Sequence, residues 1–238
     1  MYTVTGVLAY DSPDHLNPFG VKLNNSHNQA FNDKLYQLFP HKIKLLDIGC
    51  AGGASVKSFI EQGHEAIGLE GSDYRKSRRM PEWETIPDNL FICDVTKPFK
   101  ILRNDEQAKF DVITAWEFLE HLSPKDLPKL YSEIKKYLAP GGGWIVSICV
   151  FDEERSKKTY GVEWGEKEKF PDANCGHGKG FHHQWCVPES WWIKNLEENG
   201  FKLNWDKLNH FKESNAFVRG PGIEAGEDCT INLYIEVA

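Results

Sequence analysis

The sequence predicts an α/β fold, a mostly parallel β-sheet with helices on both faces. Three observations predict it. Apolar runs with strand character alternate with helical patterns between residues 43 and 150. The run Leu45-Leu46-Asp47-Ile48 breaks into the small-residue loop Gly49-Cys50-Ala51-Gly52-Gly53 and then into the helical spacing of Val56, Phe59 and Ile60. A second buried run ending in an acid, Ala66-Ile67-Gly68-Leu69-Glu70, follows about twenty residues after the first. Strand and helix in regular alternation demand crossover connections, and these build parallel sheets.

The elements follow in order. Residues 1–24 are polar and punctuated by Ser12-Pro13 and Asn17-Pro18-Phe19-Gly20, so they read as an extended arm. Asn25-Ser26 can cap a helix over about 27–39, with Phe31, Leu35, Leu38 and Phe39 on one face. The first sheet strand falls at about 43–48, and its helix runs to about 62, where Gly63 stops it. The second strand is 65–70 and the third 90–93; Met80-Pro81-Glu82-Trp83 and Ile86-Pro87-Asp88 leave room between them only for a short, broken helix. A fourth strand at about 110–115 precedes a helix over 124–137, introduced by Ser123-Pro124 as cap and first turn, and a fifth strand at about 144–149. A helix over about 188–199 is closed by Gly200, and residues 201–205 and 230–237 alternate as half-exposed antiparallel strands should.

Composition narrows the function. The chain has 238 residues, 40% hydrophobic and 13% aromatic with eight Trp, which suits one domain with a substantial core. No run approaches the roughly 18 apolar residues of a membrane span, and Met1-Tyr2-Thr3-Val4-Thr5-Gly6 lacks the pattern of a secretory signal. Six scattered cysteines, with Cys50, Cys93 and Cys149 in or beside core strands, suit reduced thiols and a cytoplasmic setting. A formal charge of −7 argues against nucleic acid as a partner. The basic cluster Arg75-Lys76-Ser77-Arg78-Arg79 is read as a solvated helix face in preference to a contact with an anionic substrate group.

The loop points to a nucleoside. Small residues let the backbone turn sharply and come close to a ligand, and the following helix aims its N–H groups at it. Glu70, at the end of the next strand, can accept hydrogen bonds from ribose hydroxyls. The register Gly49-x-Ala51-x-Gly53, with Asp47 just before it, departs from the G-x-G-x-x-G of dinucleotide sites. An acid there would repel a pyrophosphate, which disfavours a nicotinamide dehydrogenase.

This segment resembles motif I of the class I S-adenosylmethionine-dependent methyltransferases, D-[IV]-G-C-G-x-G, with Ala51 where the family usually has glycine. Three further segments fall where that family would place them. Asn89-Leu90-Phe91-Ile92-Cys93-Asp94-Val95 is a third strand ending in an acid. The run from Phe110 to Leu122 resembles motif IV, a strand running into a helix with the pattern E-x-L-E-H. Leu138-Ala139-Pro140-Gly141-Gly142 resembles the L-x-P-G-G turn before the fifth strand. The resemblance is close over about 43–150 and holds in outline beyond.

It implies a Rossmann-like, seven-stranded sheet with a final antiparallel hairpin. It also implies S-adenosylmethionine as cofactor, held by Asp47, Gly49, Cys50, Ala51, Gly53, Glu70, Gly71, Asp94, Val95 and Trp116. In the family the Asp94 position faces the adenine amino group, and a leading helix lies over the cofactor mouth. Cys50 is a small filler of the loop, not a nucleophile. The whole chain is then one methyltransferase domain: an arm and lid helix (1–40), a cofactor-binding half (41–150), an insertion (151–187) and a C-terminal helix and hairpin (188–238).

The insertion is long for a loop, leaves the C-terminal end of strand five, and carries Tyr160, Trp164, Phe170, His177, Phe181, His182, His183 and Trp185. It reads as a substrate lid. Cys175, His177, His182, His183 and Cys186 match no standard zinc spacing; a divalent cation is possible there but not favoured. A hydroxyl acceptor needs a base, for which His121, then His182 or His183, then Glu117 are the candidates. The aromatic lid, the acidic net charge and a loose likeness of Asp11-Ser12-Pro13-Asp14-His15 and Asn24-Asn25-Ser26 to methyltransferases of glycan assembly favour a sugar hydroxyl. The alternative is O- or N-methylation of a small aromatic or quinone-like metabolite. A catalytically silent cofactor-binding subunit is disfavoured by the intact motifs.

Overall fold

A computed structural model describes residues 1–150, 187–212 and 230–238. The lid reading of the insertion, including His182 and His183, therefore lies outside the described residues. In chain order the elements are β1 (Tyr2–Thr5), α1 (Pro13–Leu16), α2 (Phe19–Leu23), α3 (Gln29–Leu38), β2 (Lys44–Ile48), α4 (Ala54–Glu61), β3 (Glu65–Glu70), α5 (Tyr74–Ser77), α6 (Pro81–Thr85) and β4 (Leu90–Ile92). There follow β5 (Lys100–Arg103), β6 (Glu106–Gln107), β7 (Phe110–Trp116), a 3₁₀ turn (Leu119–His121), α7 (Leu127–Tyr137) and β8 (Leu138–Cys149). The last elements are α8 (Glu189–Glu198), β9 (Phe201–Leu203), α9 (Trp205–Lys212) and β10 (Thr230–Val237).

The main sheet has seven strands in the order β4-β3-β2-β7-β8-β10-β9. β4, β3, β2, β7 and β8 are parallel, while β10 runs antiparallel to both β8 and β9, which is the expected terminal hairpin. Successive residues of each strand feed two separate cores. Leu45, Ala66, Val112 and Ile145 pack with Phe31 and Leu35 of α3, Val56 and Phe59 of α4 and Phe211 of α9. Leu46, Ile67, Ile113 and Trp144 pack with Leu130 and Ile134 of α7 and Trp192 of α8. Burial on both faces explains why these strands read as continuous apolar runs instead of alternating ones.

The amino-terminal arm departs from its extended reading. β1 pairs antiparallel with β5, Tyr2 opposite Arg103 and Val4 opposite Ile101, in a second sheet of order β1-β5-β6. Tyr2 stacks on Phe110 with ring centroids 5.9 Å apart, and Arg103 binds both carboxylate oxygens of Glu65 at 2.8 Å. Residues 13–16 and 19–23 form short helices. Ser12 followed by Pro13 at the first helical turn is a helix start of the kind that proline's fixed φ favours, and not mere punctuation.

Smaller departures have local causes. α3 starts at Gln29 because Asn28 caps it, its side chain accepting from Phe31 N at 3.2 Å. α7 begins at Leu127, with its proline in the first turn being Pro128 instead of Pro124. The Pro140-Gly141-Gly142 turn sits within β8, looping out between Leu138, paired with Phe110, and Gly143, paired with Val112. β9 ends at Leu203, since the Asn204 side chain accepts from Lys207 N at 3.0 Å and starts α9 where a strand was expected. The motif IV segment past β7 forms one 3₁₀ turn, not a longer helix.

Candidate active site

The C-terminal ends of β2, β3, β4 and β7 face one crevice, the side of an open parallel sheet where ligands bind. After Ile48 the chain enters the left-handed region at Gly49 (φ 72°), Ala51 (φ 44°) and Gly53 (φ 86°). A Cβ would lie 2.6 Å from a Phe118 ring carbon at Gly49 and 2.6 Å from Leu90 Cδ1 at Gly53, so both positions require glycine. Ala51 bears its conformation at a cost of roughly 1–2 kcal/mol. Two bonds hold it there: its N–H donates to Glu70 Oε2 at 2.9 Å, and Trp83 Nε1 donates to its carbonyl at 3.1 Å. Cys50 is buried, its N–H donates to Leu69 O at 3.1 Å, and burial pushes its thiol well up, which fits a filler and not a nucleophile.

Three acids end three strands. Asp47 is 2% exposed and accepts from Thr114 Oγ1 at 2.7 Å. Glu70 is 6% exposed; its Oε2 takes Ala51 N and its Oε1 takes Ser72 N, each at 2.9 Å. Burial pushes both carboxyls up to about 7, with the charge of Glu70 adding to the rise at Asp47. Asp94 Oδ1 accepts from Thr96 N at 2.9 Å and Thr96 Oγ1 at 2.6 Å, while Asp94 N donates to Val7 O at 2.6 Å. Val95 is buried beside it, and the Gly71 carbonyl accepts from Ala9 N at 3.0 Å. The hydrogen-bond partners of Asp47 and Glu70 are thus a hydroxyl and backbone amides, all neutral. Two such carboxylates suit a ligand that brings positive charge and hydroxyl donors, and they oppose a pyrophosphate.

Residues ahead of α3 cover the loop. Asn24 O accepts from Gly52 N at 3.2 Å, and Asn25 Oδ1 accepts from Ala54 N at 3.1 Å, at the first turn of α4. Arg75, read as part of a solvated face, is instead 3% exposed and donates to the carbonyls of Val21, Lys22 and Asn24. Arg78 of the same cluster lies over the Tyr74 ring, 3.9 Å from its centroid. Across the crevice stands Trp116, edge-on to Phe31 with centroids 4.9 Å apart. Asp47, Gly49, Cys50, Ala51 and Trp116 line one cavity with Phe31 and Glu117, whereas Gly53, Glu70, Gly71, Asp94, Val95 and His121 are not part of its lining.

Glu117 has a positive φ of 45°, fixed by its N–H donating to both Ser147 O (3.0 Å) and Ser147 Oγ (2.9 Å). Its Oε2 accepts from Thr230 Oγ1 at 3.4 Å. Glu120, fully buried, accepts from Cys149 N at 3.1 Å, and burial followed by the charge of Glu117 raises its carboxyl well above the usual range. His121, 18% exposed, sits on the 3₁₀ turn with its Nδ1 2.9 Å from Asp14 Oδ2. Sequence reasoning assigned no site role to Thr114 or Ser147, took Asn25 for a helix cap, and drew on Asp14 only within the stretch 11–15.

Sheet order, loop and strand-end acids together define the class of S-adenosylmethionine-dependent methyltransferases. Residues 25–204 match the family described as methyltransferase domain, and the chain belongs to that family. It is 28% identical over 152 residues to the ubiquinone biosynthesis O-methyltransferase of Psychrobacter cryohalolentis, covering 63% of this chain and 56% of that protein. Over 132 residues it is 32% identical to the sterol 24-C-methyltransferase of Saccharomyces cerevisiae, covering 51% of this chain and 33% of that one. The chain thus spans about half the length, or less, of these curated relatives. A TehB-like S-adenosylmethionine-dependent methyltransferase from Corynebacterium glutamicum shares the fold with a TM-score of 0.51 at 14% identity, covering 95% of this chain and 96% of that one. The mitomycin 7-O-methyltransferase MmcR does so with a TM-score of 0.53 at 13% identity, covering 95% of this chain and 56% of that one.

The cofactor is S-adenosylmethionine, and the buried acids fit it: its sulfonium and ammonium supply positive charge and its ribose supplies hydroxyl donors. Among the described residues no group of three His, Cys, Asp or Glu is arranged to hold a metal, and no helix is long and apolar enough to cross a membrane. One prediction follows from the acids. Burial raises the Asp47 and Glu70 carboxyls to about 7, and a cationic cofactor in contact with them would favour their ionised forms. Binding therefore releases protons, and affinity falls as pH drops below 7. Between pH 8 and 6 the loss is about tenfold for each carboxyl that must ionise. Calorimetry in buffers of differing ionisation enthalpy measures the protons released; an affinity flat from pH 8 to 6 contradicts the assignment.

Proposed function

We propose that this chain methylates a hydroxyl of a small aromatic or quinone-like metabolite, with His121 as proton acceptor. The observation that carries the acceptor class is the similarity to ubiquinone biosynthesis O-methyltransferases over 152 residues, 63% of the chain. The aromatic pair Phe31 and Trp116 at the crevice supports it, since flat faces suit a ring. The sugar acceptor expected from the sequence rested on the aromatic insertion, the acidic net charge and a likeness of two amino-terminal stretches, and the relatives lend it no support.

When bound, S-adenosylmethionine supplies an electrophilic methyl group that passes to the acceptor oxygen by in-line displacement. The chain's part is to place the two in line, which supplies roughly 7–11 kcal/mol of the barrier reduction. Asp47 and Glu70 hold the cofactor's charged and hydroxyl groups, and residues 24–28 with α3 cover the crevice against water. His121 takes the acceptor's proton. A phenolic hydroxyl titrates near about 10, within reach of an imidazole base, whereas a sugar hydroxyl is a far weaker acid.

The test is transfer of a labelled methyl group to a panel of catechols, hydroquinones, free sugars and nucleotide sugars. Label is expected on the phenols. Label on sugars alone would replace this reading with the glycan one.

A further inference from the structure

We infer that Asp14 is the positioning partner of His121, so that the base is assembled from two parts of the chain that meet only when the amino-terminal segment is docked. The inference rests on His121 being the proton acceptor. Asp14 Oδ2 lies 2.9 Å from His121 Nδ1 across 107 residues of sequence, and the two side chains are 24% and 18% exposed. A carboxylate on Nδ1 keeps that nitrogen protonated, so that any proton the ring takes up goes to Nε2.

The segment that carries Asp14 is moored to the ends of the cofactor-binding strands. Val7 O accepts from Asp94 N and Ala9 N donates to Gly71 O. His15 Nδ1 lies 3.4 Å from Ser72 Oγ and 3.9 Å from Asp73 Oδ1. The charge of Asp14 also bears on Glu70. α1 thus bridges the strand end that carries the ribose-binding acid and the turn that carries the base. The segment keeps its other moorings without this pair, so a staple alone is a poor account of Asp14. Orientation of the imidazole is a better one.

Three variants and a spectroscopic readout test this. Asp14→Asn and Asp14→Ala are expected to lower kcat by roughly 10²–10³-fold while the affinity for S-adenosylmethionine stays within about twofold. Asp14→Glu, which returns the charge, restores most of the rate. Nitrogen-15 NMR of the His121 ring, with S-adenosylhomocysteine bound and no acceptor, should show the Nδ1–H tautomer in the wild type and the Nε2–H tautomer in Asp14→Ala. Three results overturn the inference: full turnover in Asp14→Ala, an unchanged tautomer, or a loss of cofactor binding that matches the loss of rate. A wild-type protein that methylates no phenol overturns the acceptor class alone, because the tautomer measurement needs no acceptor and still decides the role of Asp14.

Discussion

Replacing His121 with alanine lowers turnover by about 10²–10⁴-fold and leaves the affinity for S-adenosylmethionine near that of the wild type. The imidazole lies on the 3₁₀ turn beyond β7, whereas the proposed cofactor contacts are Asp47, Glu70 and the loop after β2. The two functions therefore separate. Glu117 is the competing base: it lines the cavity and its backbone is held in a conformation that L-residues rarely adopt. Single-turnover rates of His121→Ala and Glu117→Gln distinguish them. If His121→Ala turns over normally while Glu117→Gln is dead, the proton goes to the carboxylate and the histidine only packs.

Glu70→Ala should abolish cofactor binding at working concentrations. Two ribose hydroxyls lose a charged acceptor, each worth roughly 1.5–3 kcal/mol, so affinity falls by at least about 10²-fold. The same change strips Ala51 N and Ser72 N of their partner and loosens the loop itself. Glu70→Gln keeps the volume but turns an amide N–H toward one of those donors, so it rescues little. The stability effect has a sign that can be read separately. The Glu70 carboxyl is raised from 4.5 to about 7 in the folded chain. The folded state thus holds the extra proton between those values, and the group's contribution to stability declines as pH rises through that window. Removing it is expected to cost the ligand-free protein more at pH 5 than at pH 8, in thermal unfolding compared with wild type. Calorimetry showing unchanged affinity in Glu70→Ala would mean that β3 does not end at the ribose.

The central half of the chain was legible because its signals are local. The loop after β2 needs small residues at set positions, strand-end acids stand next to strand-like runs, and buried parallel strands are apolar on both faces. Asp47, Glu70 and Asp94 could be placed at strand ends for that reason. The amino-terminal segment was not legible, because what orders it lies far off in sequence. Nothing in residues 2–5 reveals pairing with 100–103, and nothing near Asn25 reveals that its side chain will take Ala54 N. Arg75 was misread by the same limit: a basic cluster looks solvated until carbonyls from α2 close around one member. The strand reading of 201–205 held for 201–203 and ran two residues too long, since Asn204 caps a helix as readily as it ends a strand.

The mooring of the amino-terminal segment has a consequence for how the protein assembles. Residues 7–25 leave the ribosome before their partners Gly52, Gly71, Asp94 and His121, the last of them 107 residues after Asp14. Contacts of such long range carry a loop-closure penalty before they return any energy, and they form slowly. The β2–β3 pairing, by contrast, joins residues about twenty apart. The segment that lies over the loop after β2 is therefore expected to settle late and to let go early. Its amides should exchange with solvent ahead of those in the central strands, and the enzyme would lose its closed crevice to mild denaturant while its sheet still stands.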